Sequence, residues 1–543
     1  EEFYRASRKI KHRGPDRTTH IELNSPVDIS MIFHRLAIMD TSIKGDQPFC
    51  HQTDDRTIYV MCNGEIYGFK DIVKEHELEL KSGSDCEVIL RLYLKYGEKS
   101  LDIIHKIFNS EHAFAIHDID MKTGDYILIL SNDVYGKRPL FIKTDKNGFY
   151  YSSELGGLPF IKSLDGHVQR FPPRHYGIIR KLQGKLSKMQ YYKYHETDSS
   201  KAPDAKIITD FEEAQQLLKD ALVRAVIDRL DADRECGFLL SGGFDSSIIV
   251  GIAATYMKKF GKKLRTFSIG MVGGTDEKYA KMVSEFCETD HTHIIVTKKD
   301  FLAIIPDVVR TIGSYDITTV RASCGQYLVA KWIAEHTNIK VLLVGEFSDE
   351  EMGSYKYFLQ APNDEEFHEE CVRLVNDIHE FDGVRCDRCI AKHGIEPRMP
   401  FGDINLIDIV FRCHPSLRRP KNGVEKWLIR EAVKELCAIP EEVRMRSKEA
   451  FSDGVSSTEE SWYKIIQEYV ETLYTDQELL DAQQKYKHLP PTTKESLYYR
   501  EIFCDEFGHN ESVQQVTPYI WLPKPEWCGD IKDPSARVLE VYS

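Results

Sequence analysis

The residues after about position 205 alternate between short apolar runs and longer helical patterns, and no other feature of the sequence constrains the fold as strongly. The predicted elements are a helix at 210–229, a strand at 237–240, a helix from Ser246, a strand at 264–269, a helix at 276–287, a strand at 293–296, a helix at 322–336 and a strand at 340–344. Such alternation predicts a parallel sheet, doubly wound with helices on both faces. Ligands of such sheets bind at the carboxyl ends of the strands, so the stretches after Leu240, Ile269 and Val344 are candidate binding loops.

The first part of the chain is richer in β-structure. Strand-like runs separated by turn residues lie at 31–38, 58–62, 112–116, 126–130, 149–152 and 176–179. Helical patterns at 69–76 and 84–96 interrupt them, so we expect two sheets with helices packed outside. A polar stretch at 195–203 marks the boundary between the parts. We therefore predict one domain at 1–195, a second at 205–515 and a C-terminal tail at 516–543.

Length and composition narrow the functional class. The 543 residues exceed what one hydrophobic core usually serves, and 72 basic against 86 acidic side chains give a net charge of −14. This charge disfavours nucleic acid and anionic membranes, and no apolar run reaches the roughly 18 residues of a membrane span. The 13 cysteines are spread along the chain, which predicts reduced thiols and a cytoplasmic protein. The closest pair, Cys386 and Cys389, lacks the second pair of a zinc site, and we interpret it as helix packing.

The loop after Leu240 has the composition of a phosphate-binding loop. It reads Ser241, Gly242, Gly243, Phe244, Asp245, Ser246 and Ser247, and a helical run follows it. Glycines let backbone N–H groups approach an anion, and the start of the helix adds its free donors. Asp245 suits such a loop when it holds the Mg²⁺ that neutralises the phosphates. The alternative is an ordinary glycine-rich turn with a capping residue.

A second polar loop follows the predicted strand that ends at Val344. It carries Gly345 and then four acids within six residues, Glu346, Asp349, Glu350 and Glu351. Acidic clusters are usually solvated surface. At the end of a strand in the same sheet as a phosphate loop, however, this cluster indicates metal binding or proton transfer.

Several separated strings resemble known enzymes. SGGFDSS resembles the pyrophosphate loop of ATP pyrophosphatases, which transfer AMP to their substrates, and no GxxxxGK[ST] pattern of a P-loop kinase is present. Other strings resemble the glutamine-dependent asparagine synthetases over nearly the whole chain: HRGPD at 12–16, HRLAIMD at 34–40, NGEIY at 63–67, SGSDCEV at 82–88, SSEL at 152–155, YDITTVRAS at 315–323, GEFSDE at 345–350, EPRMPF at 396–401 and KEAFSDGV at 448–455. The resemblance implies an N-terminal αββα domain of the Ntn-hydrolase kind and a C-terminal ATP-pyrophosphatase domain.

The resemblance also implies residue roles. Glutamine would be bound by Arg35, Asn63, Gly64, Glu65 and Asp85. Asp245 and Asp349 would share Mg²⁺, Lys448 would face the phosphates, and Glu346 would take a proton from the attacking ammonia. ATP would lie against Leu240, Ser241, Gly242, Gly243, Asp245, Ser246, Ser247, Ile269, Val344 and Gly345. Arg321 and Ser323, after an expected loop, are the candidates for aspartate. The implied reaction amidates aspartate to asparagine through a β-aspartyl-AMP intermediate, with ATP and Mg²⁺ as cofactors.

Two departures from the family pattern leave alternatives open. The family's glutaminase nucleophile is an N-terminal cysteine, and this sequence begins at Glu1, so we expect synthesis from free ammonia without glutamine hydrolysis. Phe347 stands where glycine is usual. The alternatives are a related amidating or β-lactam-type synthetase and a binding protein that keeps the fold without the chemistry. Small-molecule substrates are the expected partners, and a homodimer is left open.

Overall fold

The computed structural model describes residues 1–447, 456 and 461–529. The chain forms two compact units. Unit 1 comprises Glu1–Phe160, Val168–Glu196 and Asp231–Arg234, and unit 2 comprises Ile161–His167, Thr197–Leu230 and Glu235–Ser543. Among the described residues, no helix is long and apolar enough to cross a membrane.

Unit 1 is built mainly from strands. Its helices are α1 (Glu2–Lys9), α2 (Phe69–Glu75), α3 (Glu87–Tyr96) and α4 (Ser100–Ile107), with 3-10 turns at Lys11–Arg13, Ile43–Gly45, Gly97–Lys99 and Leu155–Gly157. Its strands are β1 (Arg17–Leu23), β2 (Ile29–Arg35), β3 (Phe49–Gln52), β4 (Arg56–Ile66), β5 (Ser110–Asp120), β6 (Tyr126–Asn132), β7 (Phe141–Asp145), β8 (Gly148–Ser152), β9 (His167–Arg170), β10 (His175–Leu182), β11 (Lys185–Leu186) and β12 (Gln190–Lys193).

The short strand-like runs of the first part of the sequence form antiparallel sheets in the structure. Unit 1, which is described throughout, has a seven-stranded sheet in the order β11-β10-β6-β5-β4-β3 with β12 beside β10, a three-stranded sheet β8-β7-β9 and the pair β1-β2. Alternate residues of β5 and β6, including Ala113, Ala115, Leu128 and Leu130, point into one apolar core. Leu140 and Ile142 of the β7 region belong to the same core, so the prediction of packed sheets is confirmed.

Unit 2 alternates strands with helices, as predicted. Its strands are β13 (Cys236–Leu239), β14 (Arg265–Gly270), β15 (Asp290–Ile295), β16 (Val341–Leu343) and β17 (Glu396–Arg398). The helices are α5 (Phe211–Asp228), α6 (Phe244–Lys258), α7 (Asp276–Phe286), α8 (Lys298–Ile312), α9 (Ile317–His336), α10 (Ser348–Met352), α11 (Asp364–Asp377), α12 (Asp382–Ala391), α13 (Ile404–Arg412), α14 (Pro415–Arg418), α15 (Trp427–Ala432), α16 (Glu441–Arg444), α17 (Trp462–Glu471), α18 (Asp476–Lys485), α19 (Lys494–Phe507), α20 (Glu511–Gln514) and α21 (Pro525–Cys528). Short 3-10 turns lie at Ser199–Lys201, Lys356–Gln360, Ile378–Glu380, Pro400–Gly402 and Lys434–Leu436.

The strand order locates the binding edge of unit 2. Within the described residues the sheet has the order β15-β14-β13-β16-β17, and every neighbouring pair is parallel. The chain therefore proceeds from β13 to β15 on one side and returns to β16 on the other side of β13. Parallel sheets bind ligands at such a switch point, outside the carboxyl ends of the strands. The loops that follow β13 and β16 lie at this point.

Two helices of unit 2 begin earlier than the sequence pattern predicts. The helix expected from Ser246 begins at Phe244, so Asp245 and both serines lie in its first turn. The helix expected at 322–336 begins at Ile317, because the Asp316 carboxylate accepts a hydrogen bond from the backbone N–H of Thr319 at 2.8 Å and caps it. Arg321 and Ser323 therefore both lie within α9, which begins five residues earlier than the expected start at 322.

Cys386 and Cys389 lie on α12 and are buried. Both thiols therefore pack inside the unit, as the spacing of the pair predicts.

Candidate functional site

The loop between β13 and α6 is shaped by a glycine in a left-handed conformation. Gly242 has a φ of +82°, and a Cβ atom at this position would lie 2.4 Å from the backbone nitrogen of Ala280 on α7. Only glycine fits without displacing the neighbouring backbone. Gly242 thus holds the loop against α7 and leaves the first turn of α6 open at the edge of the sheet.

The serine hydroxyls of this loop bond to one another. The Ser241 and Ser246 Oγ atoms are 3.1 Å apart, and the backbone N–H of Ser241 donates to Ser246 Oγ at 3.2 Å. The N–H of Gly243 donates to Ser241 Oγ at 3.3 Å. The first turn of a helix has unpaired N–H groups and a positive end, so the loop is a suitable cradle for an anion.

The loop after β16 meets the first turn of α6. A Cβ atom on Gly345 would lie 3.0 Å from the backbone nitrogen of Ser246, so the two loops are in close approach. Phe347 follows with a φ of +83° and a side chain that is 1% exposed, and α10 begins at Ser348. This turn orients Glu346 and Asp349 at the carboxyl end of the sheet.

One lysine joins the two predicted metal ligands. Lys426 Nζ donates to Asp245 Oδ1 and to Asp349 Oδ1, each at 2.6 Å, and its side chain is 1% exposed. Ser348 Oγ also donates to Asp245 Oδ1, at 2.7 Å. Two carboxylates that converge on one cation are a charge arrangement that a divalent cation also satisfies. Lys426 precedes α15 and was not predicted from the sequence.

The residues present fit a magnesium ion that is shared with phosphates. Among the described residues, no group of three or more His, Cys, Asp or Glu side chains could hold a metal by itself. Mg²⁺, however, is commonly bound through one or two carboxylates together with phosphate oxygens and water. The convergence of the Asp245 and Asp349 carboxylates on the Lys426 ammonium gives the two protein oxygens that such a site needs.

Glu346 lies in a buried, partly neutralised environment. Its Oε1 accepts a hydrogen bond from Gln326 Nε2 at 2.9 Å and lies 3.7 Å from a guanidinium nitrogen of Arg385. Burial raises the pKa of Glu346 above its ordinary value, and the charge of Arg385 and the hydrogen bond from Gln326 oppose this rise without cancelling it. A carboxylate with a raised pKa is a better proton acceptor, which suits a general base.

A single cavity collects part of the predicted site. Of the predicted residues, those that line it are Ser241, Gly243, Asp245, Ser246, Gly345, Glu346 and Asp349. Others lie outside the lining: Leu240, Gly242, Ser247, Ile269, Val344, Arg321 and Ser323. Arg321 instead forms a bidentate ion pair with Glu495, at 2.8 and 2.6 Å. Lys448 lies outside the described residues, and Ser447 before it lines the cavity.

The cavity also contains residues that sequence reasoning missed. The charged and amide residues among them are Asp276, Gln326, Arg385, Lys426, Arg430 and Arg446. Asp276 begins α7, in the stretch after Ile269 where a binding loop was expected, and its carboxylate is 2.8 Å from Arg446. Position along the sheet could have identified Asp276. The other five come from helices or loops distant in sequence, and no local pattern marks them.

Unit 1 has a separate cavity that is lined by one of the predicted glutamine-binding residues, Asn63. The Nδ2 atom of Asn63 is buried without a hydrogen-bond acceptor among the described residues. Gly64 follows with a φ of +151°, and a Cβ atom there would lie 1.9 Å from the carbonyl oxygen of Glu111. The close approach of β4 to β5 thus requires glycine and fixes the strand position of Asn63. A buried amide donor that lacks an acceptor suits binding of a ligand oxygen.

Three other predicted glutamine-binding residues, Arg35, Glu65 and Asp85, are buried but do not line this cavity. Asp85 accepts a hydrogen bond from the backbone N–H of Ile66 at 2.7 Å, and Glu65 is 3% exposed. Arg35 donates to Asp46 at 2.6 Å and to the carbonyl oxygen of Ser42 at 2.7 Å. The Arg35 guanidinium thus supports the loop after β2, and its binding to glutamine stays a prediction.

Comparison with known proteins identifies the family. The family model for asparagine synthase matches residues 217–365 and 360–524, and that for the glutamine amidotransferase domain matches residues 1–182. A probable glutamine-hydrolysing asparagine synthetase of Acanthamoeba polyphaga mimivirus is 38% identical over 553 aligned positions, which cover 98% of this chain and 96% of the relative. The asparagine synthetases of Gallus gallus and Homo sapiens are each 36% identical and cover 98% of this chain and 95% of their own lengths.

Solved structures align more weakly. A glutamine phosphoribosylpyrophosphate amidotransferase from B. subtilis has a TM-score of 0.29 and 14% identity over 48% of this chain and 61% of its own. The near full-length relatives and the two family models together decide the assignment. This chain belongs to the glutamine-hydrolysing asparagine synthetase family.

Proposed function

We propose that this chain uses ATP to convert aspartate into asparagine, with ammonia from glutamine as the nitrogen donor. The observation that carries the proposal is the convergence of Asp245 and Asp349 on Lys426 beside the loop after β13. Membership of the asparagine synthetase family supports the same substrates. In this proposal residues 205–515 carry out the synthesis and residues 1–195 release ammonia. Of the predicted tail at 516–543, residues 530–543 lie outside the described residues.

The phosphate end of the site provides positive charge and backbone donors. The N–H groups at the start of α6 would bind phosphate oxygens, and the buried Lys426 ammonium would add a compact positive charge. Asp245 and Asp349 would hold Mg²⁺, which neutralises pyrophosphate as a leaving group. Lys448 is proposed to face the same phosphates. These groups favour attack of the aspartate β-carboxylate on the α-phosphorus, which gives β-aspartyl-AMP.

Glu346 is proposed to complete the second step. Ammonia that attacks the activated carbonyl carbon becomes positively charged and must lose a proton before the amide is formed. The Glu346 carboxylate, whose pKa burial raises, would accept this proton. Its hydrogen bond from Gln326 at 2.9 Å fixes the carboxylate orientation.

The cavity of unit 1 is proposed to bind glutamine. Asn63 would donate from Nδ2 to the oxyanion that forms at the glutamine side-chain carbonyl, and Gly64 would keep the strand close enough. The family resemblance proposes Asp85 and Glu65 for the α-amino group and Arg35 for the α-carboxylate, although none of the three lines the cavity. This part of the proposal rests on the family and on Asn63 Nδ2, for which the part of the chain that the structure describes offers no acceptor.

A product assay tests the proposed function. The protein is incubated with ATP, Mg²⁺ and aspartate, with glutamine in one series and an ammonium salt in the other. We expect asparagine, AMP and pyrophosphate in equal amounts in at least one series. Formation of ADP and phosphate would exclude adenylation of the substrate, and AMP without asparagine would indicate a different acceptor.

A further inference from the structure

Arg385 reaches the synthetase cavity from α12, a helix that the predicted site does not include. Its side chain is 12% exposed and lines the same cavity as Glu346 and Gln326. One guanidinium nitrogen lies 2.7 Å from Asp382 Oδ1 and 3.7 Å from Glu346 Oε1. The second distance is too long for a hydrogen bond. Arg385 is therefore paired with Asp382 and lies beside the proposed base without a hydrogen bond to it.

The guanidinium of Arg385 has a donor to which none of the described residues offers an acceptor. Its Nε atom is buried and has no hydrogen-bond acceptor among the described residues. A buried donor without a partner costs free energy in the free protein and gains it when a ligand supplies an acceptor. A planar guanidinium that keeps an N–H group available matches a carboxylate oxygen in particular.

We infer that Arg385 binds the α-carboxylate of the amino-acid substrate, the carboxylate that is not activated. The inference rests on the proposed function and names the group that selects an α-amino dicarboxylic acid. Arg385 lies next to Glu346, so a small substrate whose β-carboxylate faces Glu346 has its other end within reach of the guanidinium. The carboxylate of Asp382, paired with the same guanidinium, supplies the opposite charge for the α-ammonium group.

The other described cations of the cavity are engaged elsewhere. Lys426 bonds to Asp245 and Asp349, and Arg430 donates to Glu425 at 2.6 Å. Arg446 lies 2.8 Å from Asp276 and stacks over Tyr279 at 4.0 Å. Arg321, the residue expected from the sequence, is paired bidentately with Glu495 outside the cavity lining. Arg385 is thus the cavity cation that lies beside Glu346.

The test compares aspartate with β-alanine, which is aspartate without its α-carboxylate. The full chain, R385K and R385M are assayed for substrate-dependent exchange of pyrophosphate into ATP, and β-alanine is also measured as a competitive inhibitor. We expect R385M to raise the KM for aspartate roughly 10- to 100-fold, with a smaller rise in R385K and little change in the KM for ATP. Because β-alanine lacks the contacted group, its affinity should change less than about twofold in R385M. Arg373→Met, which removes an arginine paired with Glu370 outside the cavity lining, is the control.

The comparison separates recognition from an indirect effect on the base. Loss of the Arg385 charge near Glu346 would affect both substrates equally, whereas loss of the α-carboxylate contact affects aspartate alone. Equal losses for aspartate and β-alanine, or an unchanged KM for aspartate, would overturn the inference. If β-alanine binds to no variant, equal losses in R385K and R385M would overturn it and partial recovery in R385K would support it. Exchange that does not depend on aspartate in the unmodified chain would instead overturn the proposed function.

Discussion

At the scale of single residues, Asp245 combines a structural and a proposed chemical role. Its Oδ1 atom accepts hydrogen bonds from Lys426 and Ser348, at 2.6 and 2.7 Å. An amide at this position would keep one acceptor oxygen and remove the charge. Asp349 would still neutralise Lys426, so the loss of stability is limited. The negative charge that would hold Mg²⁺ beside the pyrophosphate leaving group, however, is lost.

We therefore expect Asp245→Asn to lower asparagine synthesis by on the order of 10²- to 10³-fold, with a much smaller effect on stability. Synthesis is followed by pyrophosphate release, and unfolding of unit 2 by tryptophan fluorescence, since all five tryptophans lie at position 332 or later. Asp228→Asn, which removes a partly buried carboxylate at the end of α5 that pairs with Arg224, is the control. Synthesis near the unmodified rate in Asp245→Asn would exclude this residue from metal binding.

Glu346 determines how synthesis depends on pH in the acidic range. Its pKa is raised because burial outweighs Arg385 and Gln326, so the base is protonated and lost at a higher pH than an ordinary glutamate. With saturating ammonium we expect the rate to fall as pH decreases through this raised pKa. Glu346→Gln should lower the rate by roughly 10²-fold or more and remove this acidic limb, while aspartate-dependent pyrophosphate exchange falls less. Equal loss of exchange would assign Glu346 to positioning the nucleotide.

Which residues of the site could be predicted depends on how local their signal is. Asp245, Glu346 and Asp349 follow buried strands directly, and a strand followed by a polar loop is visible in a short stretch of sequence. Lys426 and Arg385 line the same cavity, but they lie about 80 and 40 residues after the end of β16 in the sequence. Only tertiary packing brings them to the site. Local pattern thus revealed glycines, serines and three acids of the cavity, and the residues that it missed are mainly cations.

At the scale of elements, the turn between β16 and α10 contains Phe347, whose buried side chain stabilises the fold while its backbone conformation is strained. Phe347 has a φ of +83°, which costs about 1–2 kcal/mol for a residue with a Cβ atom. Its side chain is 1% exposed, and burial of a phenylalanine is worth about 3–5 kcal/mol by truncation. Burial of the ring stabilises the fold by more than the backbone strain costs, so the strained turn is stable with phenylalanine in place.

This balance predicts the order of two substitutions. Phe347→Ala removes the buried ring and keeps the backbone strain. Phe347→Gly removes the buried ring and also relieves the backbone strain. We expect both variants to be destabilised, with the glycine variant more stable than the alanine variant by about 1 kcal/mol in denaturant unfolding of unit 2. Phe367, which is fully buried in α11, is the matched control. At this helical position the alanine variant should be more stable than the glycine variant by about 1 kcal/mol. The same order at both positions would mean that the turn at Phe347 is not strained.

The early start of α9 has a physical reason that pattern alone did not show. Thr318, Thr319 and Val320 are weak helix formers, which favours a later start. The Asp316 carboxylate compensates, since it accepts from both the N–H and the hydroxyl of Thr319, at 2.8 and 2.7 Å. Tertiary burial of this first turn then overrides local preference.

At the scale of the whole molecule, the division into a β-rich part and an alternating part was predictable, and the strand order was not. Periodicity distinguishes half-buried antiparallel strands from the buried strands of a parallel sheet. The order β15-β14-β13-β16-β17 depends on where each crossover returns to the sheet, which involves contacts between strands about 100 residues apart. That order is what brings the loops after β13 and β16 together.

Because each unit has its own cavity, the two proposed chemistries should be separable by mutation. The synthesis can take its ammonia from an ammonium salt, without glutamine. Asn63 lines the cavity of unit 1 and not the synthetase cavity of unit 2. We expect Asn63→Ala to leave synthesis from ammonium salts within about twofold of the unmodified rate, since the two cavities have no lining residue in common. Asp245→Asn should lower it by on the order of 10²- to 10³-fold, as for synthesis in general, and in the unmodified chain the rate should rise with pH as more ammonium is deprotonated. The measurement is asparagine formed from ammonium chloride between neutral and mildly alkaline pH, with unfolding of each variant as the control for stability. A large loss of ammonium-dependent synthesis in a stably folded Asn63→Ala protein would show that the cavity of unit 1 participates in the synthesis itself.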